Sequence, residues 1–370
     1  MDKQPLWRQA LSLFRGFDAA LSLAVFFLLS AGMFILYSAG IDFPGRFEDQ
    51  ARNILIGFVC MFVAANLPPS TLLKIAVPVY TIGVALLIGV AAFGLIKKGA
   101  RRWLNVGVVI QPSEMMKIAM PLLLAWYFQR REGVLRLWDF AIAALLLVVP
   151  VALIAKQPDL GTALLVAASG FYVIFFAGLS WKVLTGLFIT GLASLPIAWT
   201  FLHDYQRQRV LTLIDPTTDP LGKGFHIIQA TIAIGSGGLF GKGWLQGTQA
   251  HLEFIPERTT DFIFAVYGEE LGLIGNVILI IFYLFLVGRG LMIAATATTL
   301  FSRLLAGSIS MIFFTYAFVN MGMVSGILPV VGVPLPFVSY GGTALVTLGV
   351  GIGMLMSIAR QRHFVQTGQS

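Results

Sequence analysis

An aspartate lies where a long polar loop gives way to an apolar segment, in the run Glu257-Arg258-Thr259-Thr260-Asp261-Phe262-Ile263-Phe264. A carboxylate at the mouth of a membrane helix is costly to desolvate, so its position needs a physical reason. It can act as a general base that takes a proton from an attacking hydroxyl group. It can also stabilise the helix start, where free N–H groups and the macrodipole favour an acid. Asp261 is the first candidate for chemistry, with helix capping as the alternative.

Four further acids lie at or inside the predicted outer boundary of the membrane: Glu114, Asp159, Glu269 and Glu270. Each would cost about 2.5–3.5 kcal/mol at a helix centre, so each is expected to face the bundle interior or a wet cavity. Glu114 and Lys117 are three residues apart, which predicts either a buried ion pair or part of a site. Asp159 begins a helix, so capping competes with function there too.

The adjacent acids Glu269 and Glu270 follow Asp261 by about two helical turns. On an ideal helix Glu269 lies about 80° around the axis from Asp261, and Glu270 about 180°. The three acids cannot share one face, so at least one is expected to serve packing through hydrogen bonds. Glu270 is the first choice for that structural role, and Glu269 remains a candidate that supports the site.

Four cations crowd one short loop, in the run Lys97-Lys98-Gly99-Ala100-Arg101-Arg102-Trp103. Contact with lipid headgroups, with the tryptophan as an interface anchor, is one interpretation. The other is an anion site formed by Arg101 and Arg102, because a planar guanidinium matches phosphate oxygens. Arg207 and Arg209 add two cations at the start of the long loop.

The composition predicts a membrane protein. The 370 residues are 58% hydrophobic and 11% charged, more apolar surface than a soluble chain can hide. The net charge of +8 fits basic flanks of membrane helices better than nucleic-acid binding, because no recognition motif accompanies it. A single cysteine, Cys60, rules out an internal disulfide and a cysteine-based metal cluster.

Apolar runs predict an all-α, polytopic fold with about ten membrane-spanning helices in a single domain. The first run is too long for a cleavable signal and lacks a cleavage site. An even number of spans puts both termini on one side, and the bias of basic residues in short loops predicts that this side is cytoplasmic. The expected spans are 18–40, 53–68, 74–95, 113–129, 140–155, 161–179, 183–202, 262–287, 303–326 and 341–359.

Two segments between these helices are expected to shape a site. The long loop from about 203 to 260 has apolar residues of its own, which favours a functional cover over a spacer. The Pro- and Gly-rich segment 325–342, which includes Ser339, is expected to be a re-entrant lip, because non-helical chain at membrane depth must line a cavity or be buried. The histidines of the long loop lack metal-ligand spacing, so no dedicated zinc site is expected.

These residue types suit glycosyl transfer from a lipid-linked sugar diphosphate. The reaction needs one base for the attacking hydroxyl and positive charge at the departing pyrophosphate. Arg and Lys, with or without a divalent cation such as Mg²⁺ or Mn²⁺, can supply that charge. A transporter could carry the same residues, so a lipid flippase and a non-catalytic scaffold stay open as alternatives.

Three runs resemble the SEDS family of shape, elongation, division and sporulation proteins, and the resemblance covers essentially the whole chain. They are Pro256–Phe264, Gly268–Gly272 and Pro334–Gly342. The run Tyr205–Val210, together with the two Asp-Pro pairs that follow it, is most similar to members that act in elongation.

The resemblance implies ten transmembrane helices in the bacterial cytoplasmic membrane, with the active site facing outside. It implies a peptidoglycan glycosyltransferase that polymerises lipid II and releases undecaprenyl pyrophosphate. The implied partners are a class B penicillin-binding protein, which cross-links the strands, and other membrane proteins of the elongation complex.

Individual residues match the family's motifs. Asp261 matches the essential aspartate of the large extracytoplasmic loop, and Arg102 matches the arginine that precedes a tryptophan. Glu114 and Lys117 match a polar pair on the fourth span, and Asp159 matches the acid of a Gln-Pro-Asp-Leu-Gly-Thr motif. The remaining residues expected to bind substrate or support the site are Arg101, Arg207, Arg209, Glu269 and Ser339.

Overall fold

The structure of the protein is a computed structural model. It covers residues 17–97, 100–105, 109–133, 135–202, 204–218, 222–252, 254–255 and 257–367. In chain order its helices are α1 (Ala19–Ala39), α2 (Arg46–Asn66), α3 (Pro69–Phe93), α4 (Pro112–Arg130), α5 (Leu137–Ala155), α6 (Leu160–Phe176), α7 (Trp181–Phe201), α8 (Asp204–Ile214), α9 (Lys223–Ser236), α10 (Thr248–His251), α11 (Ile263–Ala295), α12 (Leu300–Val324) and α13 (Gly342–Thr367).

In the part of the chain that the structure describes, ten long helices overlap the ten predicted spans, which confirms an all-α, polytopic membrane fold. Within the described ranges, six of them are long and apolar enough to cross a membrane: α1, α3, α5, α11, α12 and α13. Shorter apolar stretches occur in α6 and α7. The helix α2 differs from these apolar helices because its first turn is charged, with Arg46, Glu48 and Asp49.

The helix α12 lies at the centre of the bundle. Its side chains are more fully buried than those of the other long apolar helices, and it packs against α4, α6 and α11. A second close pair is formed by α2 and α13. There a Cβ added at Gly349 would lie 2.8 Å from the carbonyl oxygen of Gly57, so a small residue lets the two backbones approach.

A small antiparallel sheet, which the sequence did not predict, connects α3 to α4. Its strands are β1 (Leu95–Lys97), β2 (Ala100–Asn105) and β3 (Val109–Ile110), with β2 in the middle. Because side chains alternate along a strand, Arg101 and Arg102 on β2 point to opposite faces of this sheet. Only one of the two can therefore face a given site.

The helix α11 is interrupted at Gly272, whose φ of 66° and ψ of −163° are not helical. Residues 237–247, called the glycine loop below, return against this break. The backbone N–H of Lys242 donates to the carbonyl of Glu269 at 3.0 Å, and further backbone hydrogen bonds join the loop to both sides of the break. The loop thus satisfies polar backbone groups that the broken helix leaves exposed.

Residues 325–341, called the lip below, form non-helical chain between α12 and α13. Apolar side chains anchor the lip in the bundle, since Val333, Leu335 and Val338 are each 1% exposed. Phe313 on α12 stacks on Phe337 with ring centroids 5.7 Å apart. The lip is therefore packed against α12 at the end of the bundle that also carries the turn before α11.

Candidate active site

Asp261 lies in a tight turn directly before α11. The backbone N–H groups of Thr260 and Phe262 both donate to the carbonyl of Glu257, at 3.0 and 3.3 Å. The helix begins at Ile263 with Phe262 as its N-cap residue, so Asp261 stands one residue before the cap position. Its side chain is half-buried and lines a cavity. The geometry therefore places this carboxylate at an opening rather than in the capping position.

The cavity has a volume of about 250 Å³ and brings together residues from five separate parts of the chain. Acids, a guanidinium and an imidazole face it beside apolar groups, which suits a polar ligand with a hydrophobic part. Its lining residues are Arg102, Pro158, Asp159, Leu160, His226, Glu257, Asp261, Phe262, Val330, Val331 and Gly332.

The lip forms one wall of this cavity and is fastened to the turn that carries Asp261. The hydroxyl of Ser339 donates to the carbonyl of Thr260 at 2.6 Å and accepts the N–H of Leu335 at 2.8 Å. The backbone N–H of Tyr340 donates to the carbonyl of Thr259 at 2.9 Å. Ser339 thus supports the site by holding its backbone, and it does not line the cavity.

Two arginines tie this turn to the segment between α1 and α2, one within the turn and one at the start of α2. Arg258 is 3% exposed, donates from Nε to the carbonyl of Ala39 at 2.9 Å, and pairs with the carboxylate of Asp42. The guanidinium of Arg46 donates to the hydroxyl of Thr259. Charge-assisted contacts of this kind fix backbone as well as side chains. The turn before α11 is consequently braced on two sides.

Arg102 and Asp159 face the cavity together. The guanidinium of Arg102 donates to the carbonyl of Pro158 at 2.5 Å, and its Nε lies 3.9 Å from Oδ2 of Asp159. Asp159 caps α6 by accepting the N–H of Thr162 at 3.2 Å, and it accepts the amide of Gln111 at 3.1 Å. Asp159 therefore both caps α6 and lines the cavity.

Glu114 and Lys117 form the predicted ion pair, buried in the bundle. The ammonium of Lys117 lies 2.6 Å from Oε1 of Glu114, and it also donates to the hydroxyl of Tyr316 on α12. Each of these three residues is at least nine-tenths buried, and Tyr316 is fully buried. None of the three lines the cavity of Asp261. They lie on the helices α4 and α12; Gln111, which contacts Asp159, is the N-cap residue of α4.

Other candidates from the sequence lie elsewhere. Arg101 donates to the carbonyl of Ala91 at 3.1 Å and is exposed on β2. Arg207 donates to the carbonyls of Trp199 and Thr200 at the end of α7, so it caps that helix rather than facing the cavity. The side chain of Arg209 lies outside the described residues.

Glu269 and Glu270 both serve packing, whereas the sequence kept Glu269 as a supporting residue of the site. Glu269 is fully buried and pairs with Lys242 of the glycine loop. Glu270 is fully buried and accepts a hydrogen bond from the hydroxyl of Ser38 on α1. The structure therefore does not bring Glu269 to the cavity.

Three residues of the site region were missed by sequence reasoning. His226 and Glu257 line the cavity, and the imidazole of His226 stacks on Phe262 with centroids 5.7 Å apart. Asn320 on α12 donates to the carbonyl of Asp261 at 2.9 Å. Glu257 sits in the same run as Asp261, so it could have been chosen from its neighbourhood, whereas Asn320 is distant in sequence.

The described residues hold no group of three or more His, Cys, Asp or Glu side chains arranged to bind a metal ion by themselves. Asp159, Glu257 and Asp261 nevertheless line one cavity. A magnesium site commonly uses one or two carboxylates and completes its octahedron with phosphate oxygens and water. The donor set therefore fits a divalent cation that arrives with a diphosphate, and it does not fit a metal held by protein alone.

Comparison with known proteins finds a matching family, similar sequences and similar structures. Residues 12–364 match the family of cell cycle proteins named after FtsW, RodA and SpoVE. The chain is 52% identical over 350 residues to the peptidoglycan glycosyltransferase MrdB of Escherichia coli strain K12, covering 94% of this chain and 95% of that protein.

Two solved structures are similar over 94% of this chain and 98% of theirs. The first, at 34% identity and a TM-score of 0.81, is described as showing the structural coordination of polymerization and crosslinking by a peptidoglycan synthase complex. The second, at 31% identity and a TM-score of 0.71, is the rod shape determining protein RodA of Thermus thermophilus.

Proposed function

This chain belongs to the FtsW, RodA and SpoVE family, and we propose that it is a peptidoglycan glycosyltransferase with Asp261 as its general base. The substrate we assign is lipid II, polymerised into glycan strands during cell-wall elongation. The similarity to the E. coli glycosyltransferase over nearly the whole chain supports the reaction class. The similarity to a rod shape determining protein supports the elongation role.

One observation supports the assignment most directly: Asp261 and Arg102 line the same small cavity. A base and a fixed cation on one cavity are what transfer from a sugar diphosphate requires, because a proton must leave the acceptor while negative charge grows on the leaving group. Asp261 is half-buried, so substrate can reach its carboxylate.

The reaction is a single inverting displacement. The 4-hydroxyl oxygen of the acceptor's N-acetylglucosamine attacks the anomeric carbon of the donor's N-acetylmuramic acid as Asp261 takes the hydroxyl proton. The bond from that carbon to the diphosphate oxygen breaks, and undecaprenyl pyrophosphate leaves with the electron pair. A second carboxylate acid is not required, because pyrophosphate is already a good leaving group.

Arg102 and Lys117 differ in their position relative to the cavity, so we assign them different roles. Arg102 lines the cavity and is assigned to the diphosphate. Lys117 is engaged by Glu114 and Tyr316 deeper in the bundle, so we assign it an electrostatic and structural contribution behind the cavity wall. Charge reversal at Arg102 should weaken donor binding and so raise the KM for the donor, and an unchanged dependence of rate on donor concentration would remove Arg102 from the site.

A divalent cation, Mg²⁺ or Mn²⁺, is proposed to accompany the diphosphate. It would supply positive charge to the leaving group, and Asp159 and Glu257, the cavity carboxylates other than the proposed base, are the residues that would hold it. A chelator should lower the polymerisation rate and either metal should restore it. An unchanged rate in the chelator would exclude this cofactor.

A class B penicillin-binding protein is the proposed partner, alongside other membrane proteins of the elongation complex. The similarity to a chain from a synthase complex that couples polymerization to crosslinking supports this pairing. We place the protein in the cytoplasmic membrane with both termini in the cytoplasm and the Asp261 cavity outside, in keeping with the loop charges.

The decisive experiment compares wild type with Asp261→Asn for glycan polymerisation in detergent, with the partner present. Asp204→Asn is a matched control, because Asp204 is a fully exposed acid of the same long loop. We expect Asp261→Asn to fold and bind the partner but to lose about 10²–10⁴-fold in rate, the usual contribution of a general base. The control should polymerise normally.

The same assay separates the alternatives. A flippase would form no glycan in detergent, where the membrane has no sides. A non-catalytic scaffold would be indicated if Asp261→Asn lost complex formation and kept its activity. Full polymerase activity in Asp261→Asn would refute the base assignment while leaving the family membership intact.

A further inference from the structure

Asn320 is a fully buried polar side chain on α12 that reaches the turn of the proposed base. Its Nδ2 donates to the main-chain carbonyl of Asp261 at 2.9 Å and to that of Val333 in the lip at 2.7 Å. A carboxamide nitrogen carries two hydrogens, so one atom serves both carbonyls. The central helix thereby joins two segments that are distant in sequence and that both border the cavity.

The lip residue beside this link packs against the carboxylate itself. Gly332 precedes Val333, and a Cβ added at Gly332 would lie 3.2 Å from Oδ2 of Asp261. Asn320 therefore holds two backbone segments. One is that of Asp261, and the other is that of Val333, which follows the glycine in contact with the Asp261 carboxylate. A change in this link would move the carboxylate relative to that wall.

Packing alone does not explain an asparagine at this position. Its Oδ1 is buried and makes no hydrogen bond within the part of the chain that the structure describes. A buried acceptor without a hydrogen bond is unfavourable. Neighbouring positions on α12 are filled by apolar residues such as Val319 and Met323, so an apolar side chain would avoid the penalty. What the asparagine adds is a pair of donors directed at the site.

We propose that Asn320 is a positioning residue for glycosyl transfer. By joining the carbonyls of Asp261 and Val333, it keeps the Asp261 carboxylate where the acceptor hydroxyl loses its proton. The inference rests on the proposed role of Asp261 as the base. A misplacement of about 1 Å costs roughly 100-fold in rate, whereas substrate affinity is preserved because Asn320 does not line the cavity.

The test uses the full-length protein in detergent with its class B partner and measures kcat and KM for a lipid-linked precursor. Asn320→Asp keeps the shape and replaces the amide by a group with at most one donor, and Asn320→Ala removes the contact. Asn276→Ala is the matched control, because Asn276 is another buried asparagine, beside Gly268 in α11. The melting temperature and the amount of folded protein are recorded for each variant.

We expect both Asn320 variants to lower kcat per folded molecule by about 100-fold, with KM within about threefold of wild type. The control should keep its kcat even where its melting temperature falls. Wild-type kcat in folded Asn320 variants, or an equal loss in Asn276→Ala, would overturn the inference.

Asp261→Asn in the same series distinguishes two failures. An inactive Asp261→Asn beside fully active Asn320 variants refutes the positioning role alone. A fully active Asp261→Asn refutes the base assignment, and the positioning role falls with it.

Discussion

The ammonium group of Lys242 lies 2.7 Å from Oε1 of Glu269, a side chain with no solvent exposure. The same oxygen accepts hydrogen bonds from the hydroxyl of Thr248 and the backbone N–H of Gln249, both at 3.1 Å. One buried acid on α11 thus holds the glycine loop and the start of α10 against the break in the helix. Glu269, which the sequence left as a candidate to support the site, contacts the glycine loop in the fold.

Neutralising Glu269 should therefore reduce stability and leave the chemistry intact. We expect Glu269→Gln to lower the free energy of unfolding by about 1–3 kcal/mol, because Lys242 is only partly buried and can turn to water. Thermal unfolding in detergent measures this change. The polymerisation rate per folded molecule should stay near wild type. Arg52→Gln, which breaks an exposed ion pair with Asp49, should change stability by less than about 0.5 kcal/mol.

A polymerisation rate that fell in Glu269→Gln as steeply as in Asp261→Asn would contradict this division. It would return Glu269 to the reaction despite its distance from the cavity lining.

The hydroxyl of Tyr316 should matter through Lys117. Tyr316→Phe removes one of the two acceptors of a buried ammonium, which leaves Glu114 as its partner. We expect a loss of about 1–3 kcal/mol in stability, since a buried charge loses a hydrogen bond. A polymerisation rate reduced by roughly tenfold would agree with an electrostatic role of Lys117, because each 1.36 kcal/mol of barrier is tenfold in rate.

Tyr267→Phe is the matched control for this experiment. The hydroxyl of Tyr267 is also buried, but it donates to the carbonyl of Gly275 within α11 rather than accepting from a charge. If both variants slowed polymerisation equally, the effect would belong to general packing and Lys117 would have no special part.

Much of the helical architecture could be predicted because it depends on one property, the length of the apolar runs in the sequence. An apolar run of about 20 residues in a chain of this composition has no stable place except across a membrane. The interior of the bundle followed from the same logic, since Glu114 and Lys117 had to neutralise each other to be buried. Asp261 was singled out because an acid at that point is costly, although helix capping stayed open as an alternative until the structure placed Phe262 at the cap.

Features that depend on contacts between distant segments could not be predicted. Arg207 was expected to bind substrate or support the site, yet it donates to carbonyls at the end of α7, which only the turn into α8 brings within reach. The glycine loop showed turn-forming residues but not their pairing with the break at Gly272. Asn320 was not singled out, because the two carbonyls to which it donates come within reach only in the fold.

The end of the bundle far from the cavity offers a test of stability against pH. Burial raises the pKa of Asp18, but the hydrogen bonds and charge of Arg289, with the N–H of Leu21, outweigh it and hold the pKa below its ordinary value. The guanidinium lies 2.5 Å from Oδ2 of Asp18. A pKa that is lower in the folded state stabilises the fold above the unfolded value of about 3.9.

Asp18→Asn should therefore lower the melting temperature at neutral pH. The difference from wild type should shrink as the pH falls below about 4, because protonation then removes the same charge from the wild-type side chain. Thermal unfolding across this pH range measures the effect. An equal difference at neutral and strongly acidic pH would show that the carboxylate charge does not stabilise the fold.

The contact between Gly332 and Asp261 can be tested with two glycines that share one backbone conformation. Gly332 and Gly326 both lie in the lip with φ of +73°, where a side chain is strained. Alanine at either position should cost about 1–2 kcal/mol in stability. An added Cβ at Gly326 meets the methyl groups of Ile227 and Thr231, whereas at Gly332 it lies 3.2 Å from Oδ2 of Asp261.

The two variants should therefore differ in catalysis and agree in stability. Gly332→Ala pushes on the carboxylate of the proposed base, so its kcat should fall by about 10–100-fold, in line with the cost of displacing a catalytic group. Gly326→Ala should polymerise glycan at nearly the wild-type rate per folded molecule. Equal rates in the two variants would mean that the carboxylate moves freely beside the lip, and the lip would then form a wall of the cavity without setting the position of the base.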